Sequence, residues 1–394
     1  MPSHAPLTRR SLVLGLLPFV CLSASAVASE TPRRDTNETS GGTGAVVGSR
    51  GGAPMTWHDP VEWGIEGKGW IDTERFYDRF PAHAQGKVPG DVWDLSHNSA
   101  GLCVRFRTDS PSISLRMDLL SARLSMPHMP ATGVSGFDLY VRDSRARWQW
   151  VHSAMPAAQH VEGPLIDELA PGMKEFVGYL PLYNGVERLG IGVEAGARFE
   201  PIAPNTHRPI VFYGTSICQG GCASRPGMAF TAIVGRMLDW PVINLGFSGS
   251  GRMDRGVVDL LAELDPAVYV IDCLPNMDAA LVRERTEPLV TELRAARPAS
   301  PILLVEDRTF GQAPIVPSLM TEQRVRRAEL AAAYQRLLSA GIGKLHYLKG
   351  DRLLGSDSEG TVDGSHPNDL GMMRYAEALH PVIAKLLGGS VGVR

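Results

Sequence analysis

The chain predicts a doubly wound α/β domain preceded by an antiparallel β-sandwich, and three observations carry that prediction. Up to about residue 199, apolar residues alternate with polar ones in short runs broken by Gly, Pro, Asp and Ser, the period of strands with one buried face. From Pro209 onward the apolar runs become continuous and alternate with stretches of helical period, as parallel strands buried on both faces require. At 394 residues, the chain also exceeds what one ordinary core accommodates.

The first 28 residues have the form of an export signal. Arg9 and Arg10 precede an apolar run from Leu12 to Leu22, and the small residues Ala24, Ala26 and Ala28 follow, giving the three regions of a cleavable signal. The run falls short of the roughly 20 residues that span a bilayer, and Pro18 interrupts it. The paired arginines also permit the twin-arginine route. The reading is export to the periplasm or beyond, with no stable membrane insertion after cleavage. Residues 29–54 are rich in Gly, Thr, Ser and Arg without periodicity and predict a disordered linker.

Residues 55–205 predict the sandwich. Leu102–Thr108, Ser112–Met117, Phe137–Arg142, Trp148–Val151 and Leu189–Val193 are the strand candidates. Residues 206–394 predict the α/β domain. Its strands are Pro209–Tyr213, Val242–Leu245, Ala267–Ile271, Ile302–Val305 and Leu345–Tyr347, with helices over Met228–Leu238, Val257–Leu264, Leu281–Ala296, Glu322–Ala340 and Leu370–Leu387. Ligands of such sheets bind beyond the carboxyl ends of the strands, so the residues that follow each strand are the ones to inspect.

Composition removes several classes. Hydrophobic residues make up 44% and charged residues 21%, which excludes a largely disordered chain. A net charge of −3 offers nothing to a polyanion, so nucleic acid is not an expected partner. No HExxH or CxxC pair marks a metal site. Four cysteines remain after the signal. Cys218 and Cys273, at neighbouring strand ends, are either bridged or buried free thiols.

The chemistry concentrates in four segments. Ser216, in Gly214-Thr215-Ser216-Ile217, follows the first parallel strand. A serine hydroxyl needs a base to take its proton and donors for the oxyanion it creates on an acyl carbon. Asn244-Leu245-Gly246 follows the second strand, and Gly246 could bring a backbone N–H close to a ligand or serve only chain reversal. Asn276, after the third strand, offers an amide to the oxyanion or satisfies its own loop. Asp363 and His366, in Val362-Asp363-Gly364-Ser365-His366-Pro367, supply a base and the carboxylate that orients it. Several other residues have two readings: Asp272 as organiser of the oxyanion loop or structural support, Arg225 as a substrate contact or a solvated or loop-bracing residue, Met126–Pro130 as a rim over the site or an ordinary loop, Trp148 and Trp150 as core or a sugar-stacking face.

These four segments, in this order, resemble the blocks of the SGNH (GDSL-type) hydrolases. The resemblance implies Ser216 as nucleophile, His366 as base and Asp363 as its partner. It also implies an oxyanion hole from the Ser216 N–H, Gly246 and Asn276, with no metal or organic cofactor. Gly136-Phe137-Asp138-Leu139-Tyr140 is similar to the GxDLY signature of a β-rich domain that precedes certain SGNH esterases, an arrangement also similar to two-domain carbohydrate acetyl esterases. Thr215 stands where many members have Asp. The resulting expectation is an exported serine esterase removing small acyl groups, chiefly O-acetyl, from carbohydrate. The alternatives are a lipolytic acyl-hydrolase or thioesterase on the same machinery, and a non-catalytic glycan-binding protein.

Overall fold

A computed structural model describes residues 54–388; the export signal read at 1–28, and all of the linker but its last residue, lie outside them. The N-terminal half contains β1 (Met55–His58), α1 (Gly90–Ser96), β2 (Cys103–Thr108), β3 (Ile113–Leu119), α2 (Ala131–Val134), β4 (Asp138–Arg142), β5 (Trp148–Ser153), β6 (His160–Ile166), β7 (Lys174–Tyr179), β8 (Val186–Glu194) and β9 (Phe199–Pro201). The strands make two antiparallel sheets, in the orders β1-β8-β3-β6 and β5-β4-β7-β2-β9. Inward-facing Val104, Phe106, Leu115, Met117, Leu139 and Phe176 close a shared core between them, as the alternation predicts.

Four of these strands, β1, β6, β7 and β9, are absent from the sequence reading, and two of them have identifiable disguises. β6 contains Gly163 and Pro164, which argue against a central strand, and it lies at a sheet edge where a missing N–H costs nothing. β7 is central but opens on Lys174 and Glu175 and contains Gly178. The Phe137 ring packs where a Cβ of Gly178 would sit, so that glycine makes room for a neighbouring aromatic.

The second half alternates as expected: β10 (Ile210–Gly214), α3 (Ser216–Gln219), α4 (Phe230–Leu238), β11 (Val242–Gly246), α5 (Arg255–Glu263), β12 (Val268–Asp272), α6 (Ala279–Ala296), β13 (Ile302–Val305), α7 (Pro317–Ser339), β14 (Leu345–Leu348) and α8 (Asp369–Leu386). The sheet is wholly parallel in the order β11-β10-β12-β13-β14. Strand order reverses about β10, and such a switch point opens a crevice at the carboxyl ends. Ser216 begins there. No helix among the described residues is long and apolar enough to cross a membrane.

The N-terminal half covers the exposed edge of this sheet, β11. Fully buried Arg79 donates from Nη1 to the carbonyls of Asn244 and Gly246 at 3.1 and 2.7 Å, from Nε to Asn98 O at 2.8 Å and from Nη2 to Leu95 O at 2.6 Å. Gly101 lies so close to the Asn244 side chain that a Cβ would collide with it. An open strand edge is a template for unwanted pairing, and here a guanidinium and a glycine turn close part of it.

Candidate active site

The strand–turn–helix at Ser216 is built from local rules. β10 ends at Gly214, whose missing Cβ admits the Asp272 carbonyl and the Cys218 side chain. Thr215 caps α3, its hydroxyl accepting from the Ile217 N–H at 3.3 Å, so threonine fills a capping role that suits short polar side chains. Ser216 is the first helical residue, where no intrahelical acceptor exists for its N–H, and that N–H has no partner among the described residues. The Ser216 carbonyl is held by the N–H groups of Gly220 and Gly221 at 3.0 and 2.7 Å and by the Tyr183 hydroxyl at 3.3 Å.

Ser216 Oγ lies 2.8 Å from His366 Nε2, and His366 Nδ1 lies 2.7 Å from Asp363 Oδ2. With Nδ1 donating to the carboxylate, Nε2 is left to accept from the serine hydroxyl. Asp363 Oδ1 also accepts from the backbone N–H of Ser365 at 2.9 Å and of His366 at 2.7 Å. Desolvation pushes the Asp363 carboxyl upward, but hydrogen bonds from the His366 N–H and ring and the Ser365 N–H outweigh it and hold the group at about 2. The carboxylate is therefore charged across the whole range in which the protein could work.

Several braces fix the loop that carries this pair. Buried Arg308 donates from Nε to the Ser365 carbonyl at 3.1 Å and from Nη2 to the Ser365 hydroxyl, while its Nη1 is paired with Asp307. Gln312 Nε2 donates to the Asp363 carbonyl at 3.2 Å. Gly221 packs against the His366 ring, with room for a Cβ only 3.4 Å from its Cδ2. The sequence reading missed Arg308, Tyr183 and Gln312. Arg308 lies three residues past the end of β13, and the strand-end rule could have found it; nothing local marks Tyr183.

The expected oxyanion donors fare differently. Asn276 Oδ1 accepts from the Gly251 N–H at 3.2 Å, which leaves the Nδ2 hydrogens turned elsewhere and unpartnered among the described residues. Gly251 lies directly against Gly214 and the Thr215 nitrogen, so the Asn276 amide is tied to the Ser216 turn. Gly246 requires a correction. Its N–H donates to the Asn244 side chain at 2.9 Å and is not free for a ligand. Gly246 is glycine because α3 packs on it, where a Cβ would run into the Gln219 nitrogen. In the same loop, Gly249 is exposed, has φ of 71° and faces open space. Its N–H has no partner among the described residues.

Other open readings resolve structurally. Cys103, Cys218, Cys222 and Cys273 are free and buried. Asp272 is buried at the end of β12 and accepts from the Tyr375 hydroxyl of α8 at 2.8 Å. Burial raises its carboxyl to about 7. Arg225 braces a loop: with the Gly227 N–H it donates to Asp138 Oδ2 at 2.8 Å, and Trp150 Nε1 donates to Oδ1 at 2.9 Å. Trp148 stacks under the guanidinium of Arg142 and Trp150 under that of Arg225. The Met126–Pro130 turn does reach the site, with the His128 ring centroid 6.0 Å from that of His366.

Known proteins share the sequence pattern and the fold. The model of the GDSL-like lipase/acylhydrolase family matches residues 207–384, and that of the GxDLY N-terminus of SGNH-hydrolase-type esterases matches residues 55–199. A protein of Bacteroides ovatus described as a GDSL-like lipase superimposes with a TM-score of 0.81 at 32% identity, over 85% of this chain and 98% of that one. A salicylyl-acyltransferase from a tetracycline biosynthetic pathway gives 0.68 at 20% identity, over 86% and 99%. A family two carbohydrate esterase of Cellvibrio japonicus gives 0.55 at 14% identity, over 85% and 99%. These last two share the fold. No curated protein matches. The chain belongs to the GDSL-like lipase/acylhydrolase family, with a GxDLY-type β-sandwich ahead of its SGNH hydrolase domain.

Proposed function

We propose that this chain is an exported serine esterase that removes small acyl groups, acetyl foremost, from carbohydrate through an acyl-enzyme. The observation that carries the reading is the unbroken hydrogen-bonded series Ser216 Oγ, His366, Asp363, with contacts of 2.8 and 2.7 Å. His366 Nε2 takes the Ser216 proton as Oγ attacks the ester carbonyl. The oxyanion then meets the Ser216 N–H, the Asn276 amide and the Gly249 N–H, which takes the place first expected for Gly246. His366 returns the proton to the departing alkoxide, and Asp363 stabilises the imidazolium in between. A water, deprotonated by the same imidazole, releases the carboxylic acid and restores Ser216.

The fold shared with a family two carbohydrate esterase supports a carbohydrate substrate, and the apolar run at residues 12–22 supports export. The relative described as a GDSL-like lipase favours a second reading, hydrolysis of longer acyl chains. Turnover of 4-nitrophenyl acetate by wild type and Ser216→Ala tests the nucleophile, and equal rates would remove it. A series from acetyl to palmitoyl esters then separates the two readings, since preference for long chains rejects the first. Acetate release from a panel of acetylated polysaccharides identifies the glycan.

A further inference from the structure

We propose that His128, contributed by the β-sandwich, reads the alcohol half of the ester by hydrogen-bonding a hydroxyl beside the scissile oxygen, which makes polyhydroxylated alcohols the preferred leaving groups. The inference rests on the esterase reading above and adds to it where the alcohol sits and what recognises it.

The direction follows from proton transfer. His366 must hand its proton to the departing alkoxide oxygen, so the alcohol lies on the His366 side of the acyl carbon. The oxyanion lies on the other side, toward Asn276 and the Gly249–Gly251 loop. His128 stands beside His366, with ring centroids 6.0 Å apart and planes inclined by 47°. That spacing excludes direct hydrogen bonding between the rings. It leaves room for a substrate group bonded to both.

The position is built, although the ring itself is exposed. Met126 and Met129 exchange backbone hydrogen bonds at 2.9 and 3.0 Å, closing a tight turn with Pro127 and His128 at its tip. Met129 is buried and Met126 packs beside it, in the same core as Ile217, Cys218 and Ala223 of the Ser216 segment. The following helix, α2, is pinned to that segment as well, since the Thr132 hydroxyl donates to the Ser224 carbonyl at 2.6 Å. The turn is thus held to the core that contains α3 and, through α2, to the loop that follows α3. The His128 ring nitrogens have no partner among the described residues, and the residue is exposed. A neutral imidazole offers one donor and one acceptor, the pair that a vicinal diol can satisfy.

Three esters with a common acetyl group test this: a methyl xyloside bearing one O-acetyl group and two free hydroxyls, cyclohexyl acetate, and 4-nitrophenyl acetate. In His128→Ala, the ratio of kcat/KM for the xyloside to that for cyclohexyl acetate should fall on the order of tenfold, the worth of one good hydrogen bond, mostly through KM. His128→Gln, which keeps a donor and an acceptor, should recover much of it. An unchanged ratio, or a proportional loss on all three esters, overturns the assignment. Ser216→Ala on 4-nitrophenyl acetate runs alongside. Undiminished turnover there removes the Ser216 mechanism together with this inference, whereas an unchanged ratio with inactive Ser216→Ala removes this inference alone.

Discussion

In the parallel sheet, all five strands point their carboxyl ends the same way, and the site gathers at that edge. Ser216 begins two residues after β10, and Asn276 lies four residues after β12. In the antiparallel sheets, neighbouring strands run in opposite senses, so no single edge collects the loops. None of the groups proposed to handle the acyl carbon comes from them. Beyond the proposed His128 contact, what that half supplies is support: Arg79 on the carbonyls of β11, Tyr183 on the Ser216 carbonyl, Thr132 on Ser224 and Asp138 on the loop at Arg225. The contrast predicts that substitutions of the triad in the α/β half cost rate at constant stability, and that those in the sandwich cost stability or selectivity first.

The largest effects should therefore fall at His366 and Asp363. His366→Ala should lower kcat by about 10⁴-fold or more, and Asp363→Asn by about 10³–10⁴-fold through loss of the oriented, stabilised imidazole. Thermal midpoints should remain close to wild type, since His366 is partly exposed and Asp363 more so. Arg79→Met should show the opposite signature. It strands buried carbonyls of β11, Asn98 and Leu95 and costs about 3–5 kcal/mol, read as a lower urea midpoint, while the folded fraction keeps its kcat. An Arg79→Met enzyme of normal stability but no activity would erase the distinction between the halves.

Asp272 sharpens the comparison by pH. Burial raises its carboxyl from 3.8 to about 7, so the folded state holds a proton that the unfolded chain releases. The associated stability is complete below about pH 4 and is lost as pH rises through 7. Asp272→Asn cannot titrate, yet its amide oxygen can still accept from Tyr375. Urea midpoints of the two proteins at pH 4.5, 6 and 7.5 should converge or cross in favour of the variant, by about 2–4 kcal/mol over the range. Parallel curves would show that the carboxyl stays ionised in the folded protein.

The α/β half was nearly all legible in the sequence because its signals are local and redundant. Continuous apolar strands, helical periods and strand-end loops each point to the same element; Ser216 and Asn276 follow those ends, and Asp363 and His366 lie in the turn before α8. The Gly246 assignment failed because a glycine in a promising loop does not reveal what its N–H already binds; here the partner is the Asn244 side chain only two residues back, a local bond that Asn readily makes to the backbone. The sandwich was legible in class but not in detail. β6 and β7 hide behind Pro164 and Gly178, which become reasonable only once the edge position and the Phe137 ring are known. The braces were invisible for the same reason: Arg79 and Gly246 lie 167 positions apart, and no spacing rule joins them.

The smallest predicted effect tests the GxDLY segment itself. Phe137 and Leu139 face the sandwich core, while Asp138 is buried on the opposite side of the strand. There its carboxylate takes hydrogen bonds from the Trp150 indole, Arg225 and the Gly227 N–H. In Asp138→Asn one carboxylate oxygen becomes an NH₂. If the amide oxygen stays on Arg225 and Gly227, the NH₂ confronts the Trp150 N–H, donor against donor, at a cost of about 1–2 kcal/mol. The loop that Arg225 braces also contains Gly221, which rests against the His366 ring, so kcat/KM should fall by a few-fold as well. Adding Trp150→Phe removes the opposing donor and should restore part of the thermal midpoint, a coupling that a double-mutant cycle measures directly. Strict additivity of the two changes would mean that Asp138 supports the loop through charge on Arg225 alone. A loss of rate approaching that of His366→Ala at unchanged stability would instead make the sandwich a partner in the chemistry.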